Sequence, residues 1–118
     1  MQVITADTQH SFVLGREGGE RSTLLLFYNP LCPHCRELLA TLETLVAEVG
    51  QGASSSGSIA VGKLDVTLNS VEEPFEVQAV PTLYFKPADG FLFKYRGLRS
   101  VADLKALLQS GGTADPSF

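Results

Sequence analysis

An α/β domain with a mixed sheet and helices on both of its faces is the fold class predicted from three features of the chain. Residues 23–28 form a continuous apolar run of strand length, the pattern of a strand buried on both faces. Directly behind it, between residues 33 and 49, Leu38, Leu42, Leu45, Val46 and Val49 recur at three- and four-residue spacing, the periodicity of an amphipathic helix. Further on, two strand-like segments, residues 82–85 and 91–95, flank the turn sequence Pro87-Ala88-Asp89-Gly90 and read as an antiparallel hairpin. Alternating strands and helices call for parallel strands joined by crossovers, and the hairpin adds antiparallel partners to the same sheet.

Taken in order, residues 2–5 read as a short strand, and Asp7 or Thr8 caps a brief helix to about Leu14. Gly15-Arg16-Glu17-Gly18-Gly19 breaks it. The apolar strand stops at Asn29-Pro30. The long helix opens at Pro33, where a missing N–H costs nothing, and Gly50 stops it. Residues 50–58, rich in glycine and serine, have nothing to bury and read as a flexible surface loop. Residues 59–66 supply the next strand. Asn69 or Ser70 then caps a short helix containing Val71, Glu72 and Glu73, disturbed at Pro74. After the hairpin, Ser100 with Asp103 caps a final helix built on Val101, Leu104, Leu107 and Leu108 and stopped by Gly111 and Gly112. The expected order is βαβαβαββα, with one domain over residues 1–112 and a flexible tail over 113–118. Tyr84, Phe85, Phe91, Phe93 and Tyr95 of the hairpin read as sheet core, not as a ligand platform.

Composition bounds the function. A chain of 118 residues with 44% hydrophobic and 19% charged residues is one ordinary globule, able to fold without a metal or several disulfides. Its two cysteines are therefore free for other work. Nine Lys and Arg against 13 Asp and Glu, with no basic run, leave no electrostatic footprint for nucleic acid or an anionic membrane. The first twenty residues lack a basic start followed by a long apolar stretch, so no signal peptide is expected in them. No apolar stretch approaches the roughly 20 residues of a membrane-spanning helix.

Cys32-Pro33-His34-Cys35 lies where the apolar strand ends and the long helix begins. A thiol there meets unpaired backbone amides and the positive end of the helix dipole, which favour its thiolate. Pro33 stiffens the short ring that a Cys32–Cys35 disulfide would close, and a protonated His34 would add positive charge beside Cys32. Cys35, deeper in the helix, is expected to keep the higher pKa and to act as the resolving thiol. A zinc site would need four ligands, but the chain has no second CxxC and no histidine besides His34 and His10. His10 reads as a surface residue. A purely structural disulfide of this spacing closes too small a loop to stabilise much. No cofactor and no metal are expected.

Phe27-Tyr28-Asn29-Pro30-Leu31-Cys32-Pro33-His34-Cys35 resembles the FYAPWCGHC segment of the protein disulfide isomerase family within the thioredoxin superfamily. Lys63-Leu64-Asp65-Val66-Thr67, Val80-Pro81-Thr82-Leu83-Tyr84-Phe85 and Tyr95-Arg96-Gly97-Leu98-Arg99 resemble further segments of that family, in the same order. The resemblance covers nearly the whole chain and implies a thioredoxin fold with a catalytic, a-type redox site. It makes Pro81 the cis-proline whose loop offers backbone hydrogen bonds to an extended substrate, with Val80 lining that contact. It makes Arg99 an arginine that lowers the pKa of the second cysteine.

Three departures stand out. Leu26 occupies the place of a buried acid that takes the proton of the second cysteine, which leaves its basic partner position, Lys63, to be paired elsewhere, solvated or depressed in pKa. Leu31 replaces the tryptophan before the first cysteine and presents a smaller apolar surface to substrate. Pro33-His34 is the dipeptide of the DsbA family of bacterial periplasmic thiol oxidases, which implies an oxidising site. The resemblance thus implies oxidation or isomerisation of disulfides in cysteine-containing protein substrates, with glutathione or an upstream oxidase as redox partner. It implies the endoplasmic reticulum lumen or another secretory compartment, and a place within a longer multidomain chain. Asp115-Pro116-Ser117-Phe118 is no retention signal, so that placement rests on resemblance. The rival readings are a cytoplasmic disulfide reductase of the thioredoxin type and a redox-inactive peptide-binding or chaperone module using Leu31, Val80 and Pro81.

Overall fold

The structure is a computed structural model that describes residues 1–15, 21–49, 58–88 and 90–110. Of the expected loop over residues 50–58, only Ser58 is described, and it opens a strand instead; the rest of that loop, the helix stops Gly111 and Gly112, and the expected tail over 113–118 lie outside the described residues. The elements are β1 (Gln2–Val3), α1 (Gln9–Leu14), β2 (Arg21–Tyr28), α2 (Pro33–Val49), β3 (Ser58–Asp65), β4 (Thr82–Lys86), β5 (Phe93–Tyr95) and α3 (Val101–Ser110). They build one five-stranded mixed sheet in the order β1-β3-β2-β4-β5. β3 runs parallel to both β1 and β2, whereas β4 is antiparallel to β2 and β5 to β4.

Central position explains the composition of β2. It is hydrogen-bonded on both edges, Leu26 pairing with Lys63 on one side and with Leu83 on the other, and residues 22–27 are all buried. Side chains that alternate across the sheet must therefore be apolar on both faces. Leu24 and Leu26 join the core beneath α2 and α3, with Leu38, Leu42 and Leu45 from α2 and Leu104, Leu107 and Leu108 from α3. Leu25 and Phe27 face the opposite core, where Phe12 and Val13 of α1 meet Phe75 and Tyr84. Helices cover both faces as expected. No helix among the described residues is long and apolar enough to cross a membrane.

The expected third helix does not form. Its backbone groups are claimed by a side chain from elsewhere: fully buried Gln9 accepts the Glu72 N–H at 2.8 Å and donates to the Ser70 carbonyl at 2.9 Å and the Ala6 carbonyl at 3.2 Å. Asn69, expected as a cap, instead accepts the Ala6 N–H at 3.0 Å. Residues 66–81 thus form an irregular connection pinned to α1, and the order is βαβαβββα. The hairpin forms with Leu83 opposite Tyr95 and Phe85 opposite Phe93, and the Gly90 N–H donates to the Pro87 carbonyl across its turn. Its second strand begins only at Phe93, and Phe91 stands 92% exposed instead of joining the core. Ser100 and Asp103 cap α3 reciprocally, Asp103 N–H to Ser100 Oγ at 3.1 Å and Ser100 N–H to Asp103 Oδ2 at 3.3 Å. The Glu73–Pro74 and Val80–Pro81 peptide bonds are cis.

Candidate active site

The turn between β2 and α2 is set by Asn29. Its side-chain oxygen accepts the Leu31 N–H at 2.9 Å and its carbonyl accepts the Cys32 N–H at 3.0 Å, folding the chain sharply after the strand. The Arg36 N–H donates to the Cys32 carbonyl at 3.0 Å, so Cys32 sits at the cap of α2 and Pro33 opens the helix. Cys32 is half-buried, while Cys35, on the inward face of the first turn, is fully buried. Both cysteines are free thiols in this structure.

Their surroundings push the two thiols apart. Cys32 lies below the usual thiol pKa because the Cys35 N–H and then the Cys35 S–H donate to its sulfur, with further help from the His34 N–H and the positive charge of Arg36. Cys35 lies above it, chiefly because burial disfavours its thiolate and because it serves as donor to Cys32. Arg99 works in the opposite direction on Cys35 but does not overcome that burial. The pair is therefore a thiolate-prone sulfur near the surface, hydrogen-bonded by a protonated one beneath it.

The imidazole of His34 is 84% exposed and points toward Glu37, with Nδ1 4.0 Å from Oε2, and its contribution at Cys32 comes through its backbone N–H. Arg36, which follows Cys35 directly but lies outside the Cys-Pro-His-Cys motif, adds a nearby side-chain charge.

The remaining candidates gather around the dithiol. His34 and Arg99 line one cavity of about 220 Å³ together with Glu37, Leu38, Thr41 and Pro81. Val80 is half-buried beside Pro81, and Leu31 stands 82% exposed immediately before Cys32. On the sheet below, Leu26 is fully buried and pairs across the ladder with half-buried Lys63. His10, expected at the surface, is exposed on α1.

A five-stranded mixed sheet with a strand-to-helix Cys-Pro-His-Cys dithiol defines a thioredoxin-fold thiol–disulfide oxidoreductase domain. The thioredoxin family matches residues 2–110, and the chain belongs to that family. It is 36% identical over 99 residues to protein disulfide-isomerase A3 of Gallus gallus, covering 82% of this chain and 19% of that one. With protein disulfide-isomerase of Ricinus communis it shares 33% identity over 110 residues, 92% of this chain and 21% of that one. The first thioredoxin domain of mouse protein disulfide-isomerase A4 is similar in structure, with a TM-score of 0.70 and 25% identity, covering 98% of this chain and 76% of that one. The chain thus spans about a fifth of the length of the curated relatives it matches.

Proposed function

We propose that this domain exchanges thiols and disulfides with cysteine-containing protein substrates, working mainly as an oxidase and isomerase. The observation that carries the reading is the division of labour between the two sulfurs: an accessible Cys32 held toward thiolate and a buried Cys35 held as thiol.

In oxidation, a substrate thiolate attacks the Cys32 sulfur of the Cys32–Cys35 disulfide. The bond between the two cysteines breaks, Cys35 leaves as thiolate and takes up a proton. A second substrate thiolate then attacks the substrate sulfur of the mixed disulfide, and Cys32 leaves as thiolate. Two electrons pass from substrate to domain, and glutathione disulfide or an upstream oxidase removes them again. Stabilising the departing Cys32 thiolate makes it a better leaving group and the disulfide more oxidising. Pro33 restrains the small ring, while the backbone N–H of His34 and the charge of Arg36 support the thiolate. Arg99 eases ionisation of Cys35. Leu31 gives an apolar rim to the substrate, and the Val80–Pro81 segment offers backbone to an extended peptide; the cavity shared by Pro81 and His34 supports that placement. The endoplasmic reticulum lumen, or another secretory compartment, suits this chemistry, as does a longer multidomain parent.

Single-cysteine variants test the reading. Cys32→Ser abolishes disulfide transfer to a reduced substrate protein, whereas Cys35→Ser accumulates mixed disulfides with substrate that a reductant releases. Normal turnover by Cys32→Ser overturns the assignment.

A further inference from the structure

Charge and shape beside the dithiol are unevenly arranged. The cavity shared by His34, Glu37, Leu38, Thr41, Pro81 and Arg99 holds about 220 Å³. Whole small-molecule sites run from about 300 Å³ upward, so this space takes one residue-sized arm and not a complete ligand. Leu38 and Pro81 give it apolar wall, and the Thr41 hydroxyl is already engaged as donor to the Glu37 carbonyl at 3.1 Å. Glu37 faces His34 across 4.0 Å. Arg99 is exposed and has no ion pair or hydrogen bond among the described residues, although its charge reaches the buried Cys35 sulfur. Arg36, next along the helix, adds positive charge near Cys32. Among these groups the two arginines outnumber the one carboxylate, Glu37, which lies toward His34, and Arg99 is the cation of the cavity wall without an ion pair among the described residues.

We propose that this cavity is a specificity subsite for a carboxylate-bearing residue flanking the reacting cysteine of the substrate, with Arg99 as the partner of that carboxylate. The inference rests on the exchange reaction proposed above. His34, two residues beyond Cys32 in the chain, lines the cavity with Pro81, so the subsite is assigned to the residue beside a substrate sulfur engaged at Cys32. A guanidinium presents a planar fork of donors that matches a carboxylate, which lysine does not reproduce. Glutathione and an acidic protein segment offer the same chemistry, a carboxylate close to a thiol.

The test measures how fast peptide thiols reduce the Cys32–Cys35 disulfide of the oxidised domain. Two short peptides with one cysteine each are compared, one with Asp on both sides of the cysteine and one with Asn. Each rate is divided by the same peptide's rate toward a small symmetric disulfide, which removes differences in thiol pKa. The expected result is a preference of about two- to five-fold for the Asp peptide, the range of a partly exposed ion pair, falling at high salt. Arg99→Gln brings the ratio to one and Arg99→Lys keeps only part of it. Glu37→Gln raises it. Because any effect of Arg99 on Cys35 is common to both peptides, it cancels in the ratio. Equal normalised rates in the unmodified domain, or a preference that survives Arg99→Gln, overturn the subsite while leaving the exchange reaction intact. Failure of both peptides to reduce the disulfide overturns the exchange reaction and the subsite with it. Glutathione and its amidated form, run in the same assay, show whether the small thiol or only the peptide uses the cavity; equal rates for both members of each pair again overturn it.

Discussion

Cys32 and Cys35 carry the same functional group, one at the cap of α2 and the other in its first turn, yet one is drawn toward thiolate and the other kept from it. The sign of each shift predicts its alkylation profile. For Cys32, a lowered pKa preserves thiolate as pH falls, so its reaction with iodoacetamide has a midpoint below the ordinary thiol value of about 8.5. For Cys35 in the Cys32→Ser variant, burial pushes the midpoint above that value. Mass spectrometry of the reduced protein across a pH series measures both, and a Cys32 midpoint at or above the ordinary value contradicts the account. Leu26 bears on the next step, the departure of the Cys35 proton. Its buried side chain offers no acceptor, and Lys63 lies opposite it in the ladder. Leu26→Glu is expected to speed the release of mixed disulfides by Cys35, at a stability cost of roughly 2 kcal/mol or more for a buried carboxyl. An unchanged or slower release shows that another group already moves that proton.

Elements were legible in the sequence where their reason is local. The periodicity of α2 and the apolar run of β2 are dictated by which faces they bury, and the Ser100–Asp103 cap is complete within four residues. The helix expected near residues 69–73 failed because Gln9, distant in the chain, takes its backbone groups, and no local pattern announces such a contact. Phe91 failed for a related reason: the ladder begins two residues later, and aromatic character alone does not decide register. A close approach that the sequence also leaves unspoken is that of α1 to β3. A Cβ on Gly62 would lie 2.8 Å from both Ile4 Cγ1 and Phe12 Cε2. Gly62→Ala is therefore expected to lower the urea midpoint by an amount worth about 1–3 kcal/mol while leaving the Cys32–Cys35 redox equilibrium unchanged. An unaltered midpoint would mean that α1 packs more loosely on the sheet than the structure shows.

At the scale of the molecule, the antiparallel pairing of β2 with β4 and of β4 with β5 brings three distant segments to one end of the sheet. The turn after β2, the segment entering β4 and the stretch between β5 and α3 meet there, so that His34 of the dithiol motif, Pro81 and Arg99 line one cavity and the charge of Arg99 reaches Cys35. The dithiol was readable from four consecutive residues. Pro81 and Arg99 were readable only through resemblance, because no spacing rule joins residues that meet through sheet topology. The exposed imidazole of His34 and the cationic contribution of Arg36 needed the helix in three dimensions. The central claim is that this end of the sheet holds a reversible, oxidising dithiol. It is tested most directly by equilibrating the domain in a series of glutathione redox buffers and measuring the fraction of Cys32–Cys35 disulfide after alkylation. The account predicts an intramolecular disulfide half-reduced at a potential of about −180 to −210 mV or less negative. A domain that forms no intramolecular disulfide, or one poised near the thioredoxin value of about −270 mV, contradicts it.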